Sequence, residues 1–186
     1  ALVVAFLPRS RPGAIRITAL VFALVSFGLS LLLLIGFNPT DPTFQYQEVH
    51  DWIPVFGIQY KVGVDGLSVL LVVLTTTLSW ISILASFRPI KERLKEYMIS
   101  FLILEVGLIG TFLSLVLVVF FLFFELVLIP MWFVIARWGD DHGEPSPTAA
   151  ANTFILYTLL GSAVMVLGFL LVHAHTGTFD MVALAA

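Results

Sequence analysis

The chain has 186 residues, of which 60% are hydrophobic and 11% charged, with a mean hydropathy of +1.07 and a net charge of −3. A soluble domain carries roughly 25% charged and about 45–50% apolar residues, so these values exclude an ordinary soluble globule and indicate a multi-span membrane protein. The absence of cysteine excludes a disulfide framework, a thiolate metal site and iron–sulfur ligation.

The opening "ALVVAFLPRS" has no initiator methionine, and its apolar run over residues 1–8 reads as a clipped first span of a longer chain. A spanning helix needs about 20 mostly apolar residues. Residues 14–37 supply the next one. Residues 38–62 are a long connection in which Phe44–Trp52 and Ile58–Val62 are β-like runs around a Pro-Val-Phe-Gly turn. That pattern predicts a small surface hairpin. Asp65 in "GVDGLS" is placed to cap the third span, residues 66–87.

The apolar run Tyr97–Arg137 is about 40 residues, which as one helix would extend roughly 60 Å, twice the hydrocarbon core. It is expected to fold back near Ser114–Val116, giving spans 97–115 and 116–137. Gly139–Thr148 reads as a solvated, irregular loop, 150–173 as the last span, and 174–186 as an external loop or the start of another span. The expected fold class is an all-α polytopic membrane protein, with five full spans, a clipped one and a small β-hairpin in the long external loop.

If the spans alternate, Arg9, Arg11, Arg16, Arg88, Lys91, Arg93, Lys95 and Arg137 share one side, and of the nine basic residues only Lys61 falls on the other. The positive-inside rule makes the basic side the cytoplasm, and a bacterial inner membrane is the expected location. Without the break near residue 115, Arg137 would change sides.

Glu125 lies within "VVFFLFFELVLIPMWFV". An acidic charge at a helix centre costs about 2.5–3.5 kcal/mol on insertion scales, while each Leu, Ile, Phe or Val returns roughly 0.3–0.6. The helix therefore inserts, but its carboxylate must be protonated or find a cation or water. One reading is a proton-handling group; the other is a neutral glutamate hydrogen-bonded to a neighbouring helix. Pro130 cannot donate to the carbonyl of Leu126, which frees that oxygen one position from Glu125. Glu105 is a possible second proton site at similar depth on the preceding span, and it too could be structural. No lysine or arginine lies deep inside any predicted span, so a cation for Glu125 must come from elsewhere.

Thr75, Ser79, Ser82 and Ser86 form a stripe at helical spacing, and Tyr157 and Thr158 lie near Gly161 and Ser162. Such stripes either pack helix against helix or line a hydrated path. His173 and His175 have a spacing that could bind metal, although two histidines at a helix end are a weak signal. No GxGxxG, Walker A or HExxH pattern is present, and no basic run suits nucleic acid. Any redox or nucleotide chemistry this chain serves belongs to another subunit.

"VGVDGLSVLLVVLTTTLS", "EVGLIGTFLSL", "FFLFFELVLIPMWFVIARWG" and "FILYTLLGSAVMVLGFLL" with "TGTFD" after it resemble the antiporter-like M (chain 4) subunits of proton-pumping NADH:quinone oxidoreductase, respiratory complex I. The resemblance implies a bundle of about fourteen spans with inverted repeats and helices broken near the midplane. It implies that Glu125 is the family's essential membrane glutamate, paired with a lysine two spans later, beyond residue 186. It also implies no cofactor in this subunit: NADH, FMN, iron–sulfur clusters and quinone would sit on other subunits. The expected partners are neighbouring antiporter-like and other membrane subunits, their hairpins joined along the outer surface. Two positions depart from the pattern, Val116 where the family often has an acid and Thr153 where it often has a base. A multisubunit Na+/H+ antiporter, a membrane-bound hydrogenase or a non-pumping scaffold are the alternatives.

Overall fold

A computed structural model describes residues 1–140 and 146–185, so the Asp141–Pro145 part of the expected loop lies outside the described residues. The elements, in chain order, are α1 (Leu2–Phe6), α2 (Pro12–Gly36), β1 (Gln45–Ile53), β2 (Ile58–Val64), α3 (Gly66–Ala85), α4 (Leu94–Leu113), α5 (Leu117–Trp138), α6 (Pro147–Thr176) and α7 (Met181–Leu184). Five of them, α2 to α6, are long and apolar enough to cross a membrane. The chain is an all-α polytopic membrane protein with a two-stranded hairpin between its first two long helices. α4 starts three residues before the first residue of the long apolar run, because Leu94 and Tyr97 are drawn into the packed core beside Met98.

Local chemistry sets the helix ends. Asp65 accepts from the Ser68 backbone N–H at 2.7 Å, while the Ser68 hydroxyl accepts from the Asp65 N–H at 2.8 Å, a reciprocal capping box at the start of α3. Asp65→Ala is expected to cost about 1 kcal/mol, read as a lower thermal unfolding midpoint of the purified protein. Pro12 and Pro147 occupy first-turn positions where a missing N–H costs nothing. Gly177 ends α6 in the left-handed conformation at φ 75°, and Gly57 does the same for the hairpin turn at φ 63°.

The helices pack largely in sequence order: α2 on α3, α3 on α4, α4 on α5 and α5 on α6, with α2 also reaching α4. Two glycines let α4 and α5 approach closely. A Cβ on Gly107 would fall 2.6 Å from the Val127 side chain and 3.3 Å from the Phe123 carbonyl oxygen, while a Cβ on Gly110 would overlap the Phe123 ring. Small residues at such a seam are how membrane helices gain van der Waals contact without a hydrophobic driving force.

The two ends of the bundle differ. At one, Arg16 donates to the Ile90 carbonyl (3.2 Å), Lys95 to the Leu7 carbonyl (2.8 Å) and the Trp138 indole to the Glu92 carbonyl (3.1 Å), so the arginines and lysines gather around a core of Val4, Ile15, Ile83 and Met98. At the other, the chain turns sharply at Ser114–Val116, where α4 gives way to α5. The turn is held by two backbone bridges, Val62 with Ser114 and Val116 with Asp180. The hairpin therefore rests on the α4–α5 turn. β1 and β2 run antiparallel, pairing His50 with Tyr60 and Asp51 with Gln59, with irregularities on both sides of that stretch.

Lys61 donates to Asp180 at 2.7 Å across this end, tying the hairpin to the segment after α6. Burial alone would raise the Asp180 carboxyl, but the hydrogen bond from Lys61, the backbone N–H of Val182 and the Lys61 charge outweigh it and hold the group below its ordinary value. A depressed carboxylate contributes stability above its unfolded value and loses it as pH falls through its folded one. Acidification below the ordinary carboxylate range should therefore loosen the hairpin, read as faster hydrogen exchange at Leu115 and Met181, and Asp180→Asn should show that rate already at neutral pH.

Candidate functional site: two buried carboxylates

Glu125 takes its depth from the α4–α5 seam. Gly107 touches Phe123 and Val127, so Glu125, midway between them, lies level with Gly107. Glu105 is two residues from that level, about 3 Å along the axis. The two carboxylates are thus at nearly the same depth within the bundle.

They do not face one another. Each is two residues from a residue of the seam, and two residues turn a helix by about 200°. Glu105 is turned from Gly107 towards α2 and α3, and Glu125 is turned from Val127 towards the far side of α5.

Glu105 is 3% exposed. The Ser26 side chain of α2 lies beside its carboxyl, and Oε1 has no hydrogen-bond partner. It lines a cavity of about 420 Å³ between α3, α4 and α5, closed on one side by Phe154 of α6, whose polar wall is Thr75, Ser79 and Ser82. Three members of the stripe on α3 therefore share a space with a carboxylate. The fourth, Ser86, instead joins α3 to α4 by a 2.8 Å hydrogen bond with the Tyr97 hydroxyl. Beside this space, the Ser30 and Thr76 hydroxyls meet at 2.7 Å between α2 and α3.

Glu125 is half-buried, and its Oε1 is shielded from solvent without a hydrogen-bond partner. An unpaired buried polar atom costs about 1–3 kcal/mol, more if charged. Two turns on along its helix is Trp132, whose indole donates to Asn152 of α6 at 3.0 Å, and five residues back Phe120 meets Phe169 of α6 edge-on at 6.3 Å. Glu125 lies between these two contacts, level with the Gly161–Ser162 stretch. Ser162 is buried there, whereas a Cβ on Gly161 would meet nothing within 4 Å. Pro130 opens the ladder on another face: with Leu126 it lines a groove between α4 and α5, not the side that carries Glu125.

Tyr157 and Thr158 are not drawn to either carboxylate. Tyr157 is 75% exposed on the open face of α6, and the Thr158 hydroxyl donates to the Phe154 carbonyl of its own helix at 2.7 Å. His173 stacks on Phe179 with ring centroids 4.0 Å apart, and His175 hydrogen-bonds the Leu171 carbonyl at 2.9 Å, so the two rings are engaged separately. Among the described residues no three His, Asp or Glu side chains are grouped to hold a metal, and no lysine or arginine contacts Glu105 or Glu125. Ser26 and Asn152 were not singled out in the sequence. The Ser26–Ser30 spacing of four on α2 was the available signal for the first, and nothing local marks the second.

A family model described as "NADH:quinone oxidoreductase/Mrp antiporter, TM" matches residues 114–186. Subunit M of the NADH-quinone oxidoreductase of Rhodobacter capsulatus is 46% identical over 166 residues, covering 89% of this chain and 31% of that protein. Chain 4 of the NADH-ubiquinone oxidoreductase of Marchantia polymorpha is 41% identical over 180 residues, covering 97% of this chain and 36% of that protein. The chain thus spans about a third of the length of these relatives. Among solved structures, respiratory complex I of Thermus thermophilus matches with a TM-score of 0.75 at 28% identity, over 89% of this chain and 33% of the matched one. The Mrp complex of Dietzia shares the fold, with a TM-score of 0.76 at 18% identity over 95% of this chain and 19% of that one. Sequence and fold agree that this chain belongs to the antiporter-like membrane subunits typified by subunit M and chain 4 of NADH:quinone oxidoreductase.

Proposed function

We propose that this chain is part of a proton-translocating membrane subunit of NADH:quinone oxidoreductase, with no redox centre of its own. The observation that carries the reading is the carboxyl of Glu125, inside an apolar span, shielded from solvent and without a partner on Oε1. An ionisable group in that setting is functional by default. Its cation, a lysine, is supplied by protein outside these 186 residues.

The pair works as a switch because of what burial does to charge. Glu125 as a carboxylate raises the proton affinity of a nearby lysine, and the two together neutralise one another. When quinone reduction elsewhere in the assembly perturbs the contact, the lysine loses that support and its proton affinity falls. The cost of leaving a buried charge unpaired drives the proton onward. Glu105, with Ser26, Thr75, Ser79 and Ser82, supplies a second proton-holding position at the same depth, and Tyr157 and Thr158 face neighbouring protein.

In this reading the basic end lies in the cytoplasm of a bacterial inner membrane. NADH, FMN, iron–sulfur clusters and quinone are bound by other subunits, and the hairpin joins neighbouring membrane subunits along the outer surface. The match to both complex I and an Mrp complex favours a second reading, a subunit of a multisubunit cation/proton antiporter. Purification from native membranes decides between them. Co-purification with NADH-oxidising activity is expected, whereas an assembly of membrane subunits alone, without that activity, supports the antiporter.

A further inference from the structure

Away from both carboxylates, α4 and α5 enclose a groove of about 360 Å³ at the basic end of the bundle. Its walls are apolar, from Ile99 and Ile103 on α4 and Leu126, Ile129 and Phe133 on α5. Its rim is not: Arg93, Glu96, Arg137 and Trp138 surround the mouth.

Arg93 and Glu96 also line two adjoining hollows of about 340 and 270 Å³, which add Arg9, Lys91 and Lys95. The negative charge of Glu96 is already matched by its ion pair with Arg9. The surplus around these connected spaces is therefore positive. An apolar slot that continues into a basic hollow fits a molecule with a hydrocarbon chain and an anionic head.

The level of this site suits a lipid. The Trp138 indole, hydrogen-bonded to the Glu92 carbonyl, places an interfacial aromatic at the mouth, and the apolar walls run inward from it. Basic pockets between membrane helices bind acidic lipid headgroups.

We propose that the α4–α5 groove binds one anionic phospholipid, its acyl chain between Ile103 and Ile129 and its phosphate between Arg93 and Arg137. The lipid also fills the space opened beside Pro130, where the Leu126 carbonyl lacks its helical donor. The inference is independent of which machine the subunit serves.

The test uses the complete membrane assembly in vesicles of phosphatidylcholine containing a photoreactive phosphatidylglycerol. Adducts are expected on the α4 and α5 peptides that hold Ile103 and Ile129, competed by unlabelled phosphatidylglycerol and weakly by phosphatidylcholine. Arg93→Gln and Arg137→Gln should each lower labelling about fivefold. Ile103→Trp, which fills the slot and leaves the rim unchanged, should abolish it, with assembly checked by the yield of the intact complex. Equal labelling by both lipids, indifference to the arginine substitutions, or no adduct because another protein segment fills the groove would each overturn the proposal.

Discussion

Glu125→Gln leaves a subunit that inserts and assembles normally while NADH-driven proton pumping falls at least about tenfold. Insertion is spared because glutamine has the shape of glutamate, and removing an acidic charge relieves a cost of about 2.5–3.5 kcal/mol. Pumping is lost because the partner amine then has no carboxylate beside it. Breaking a buried pair costs about 3–5 kcal/mol, and one pKa unit corresponds to about 1.36 kcal/mol, so the amine's proton affinity drops by two units or more. Burial already disfavours the charged amine, and this further loss empties it at neutral pH. Proton uptake into inverted membrane vesicles, measured beside NADH oxidation with a soluble acceptor, separates lost pumping from lost assembly. Pumping at the parental rate would reassign Glu125 to helix packing.

Gly110→Val should be the most damaging change outside the carboxylates. The seam leaves no room at this position: an added Cβ would overlap the Cδ1 and Cγ atoms of the Phe123 ring, at the root of that side chain rather than its free end. Overpacking of this kind costs about 1–3 kcal/mol, and here it also separates the two helices that set the depths of Glu105 and Glu125. The yield of intact assembly on a native gel should fall severalfold. The milder Gly110→Ala should be partly rescued by Phe123→Leu, which removes the ring it meets. A full yield of the valine variant would show that the seam is loose. Gly107→Ala should behave similarly, and its nearest backbone atom, the Phe123 carbonyl oxygen at 3.3 Å, cannot swing away as a side chain can.

The membrane class and the two acidic positions were legible because they depend on cost. A chain that is 60% hydrophobic has few places to put a carboxylate, so Glu105 and Glu125 stand out against Phe, Leu and Val. The fold class follows from the lengths of the apolar runs. Which way each side chain faces does not, because the helices are apolar on most sides and lack the sharp amphipathic stripe that orients a helix in water. The Gly107 and Gly110 contacts with Phe123 and Val127 define the α4–α5 seam, and they turn Glu105 and Glu125 away from one another. The polar stripe illustrates the same point. Spacing placed Thr75, Ser79, Ser82 and Ser86 on one face, yet three line the Glu105 cavity and the last packs against Tyr97.

Long-range partners were the least legible. Lys61 and Asp180 are 119 residues apart, and nothing near either predicts their ion pair. Ser26 reaches Glu105 across the α2–α4 contact, which sequence order alone does not reveal. The open face of α6, with Leu156, Leu160, Val164 and Leu167 exposed, could be read from composition as apolar but not assigned to lipid or to protein.

A density map of the complete assembly, read at the Glu125 carboxyl, measures most directly whether an acid whose Oε1 has no partner among the described residues is matched from outside them. The reading advanced here predicts a lysine amine within about 4 Å of that carboxyl, or joined to it by an ordered water, at mid-depth in the bilayer. A carboxyl enclosed by hydrocarbon alone, or one displaced to the level of the lipid headgroups, would contradict it.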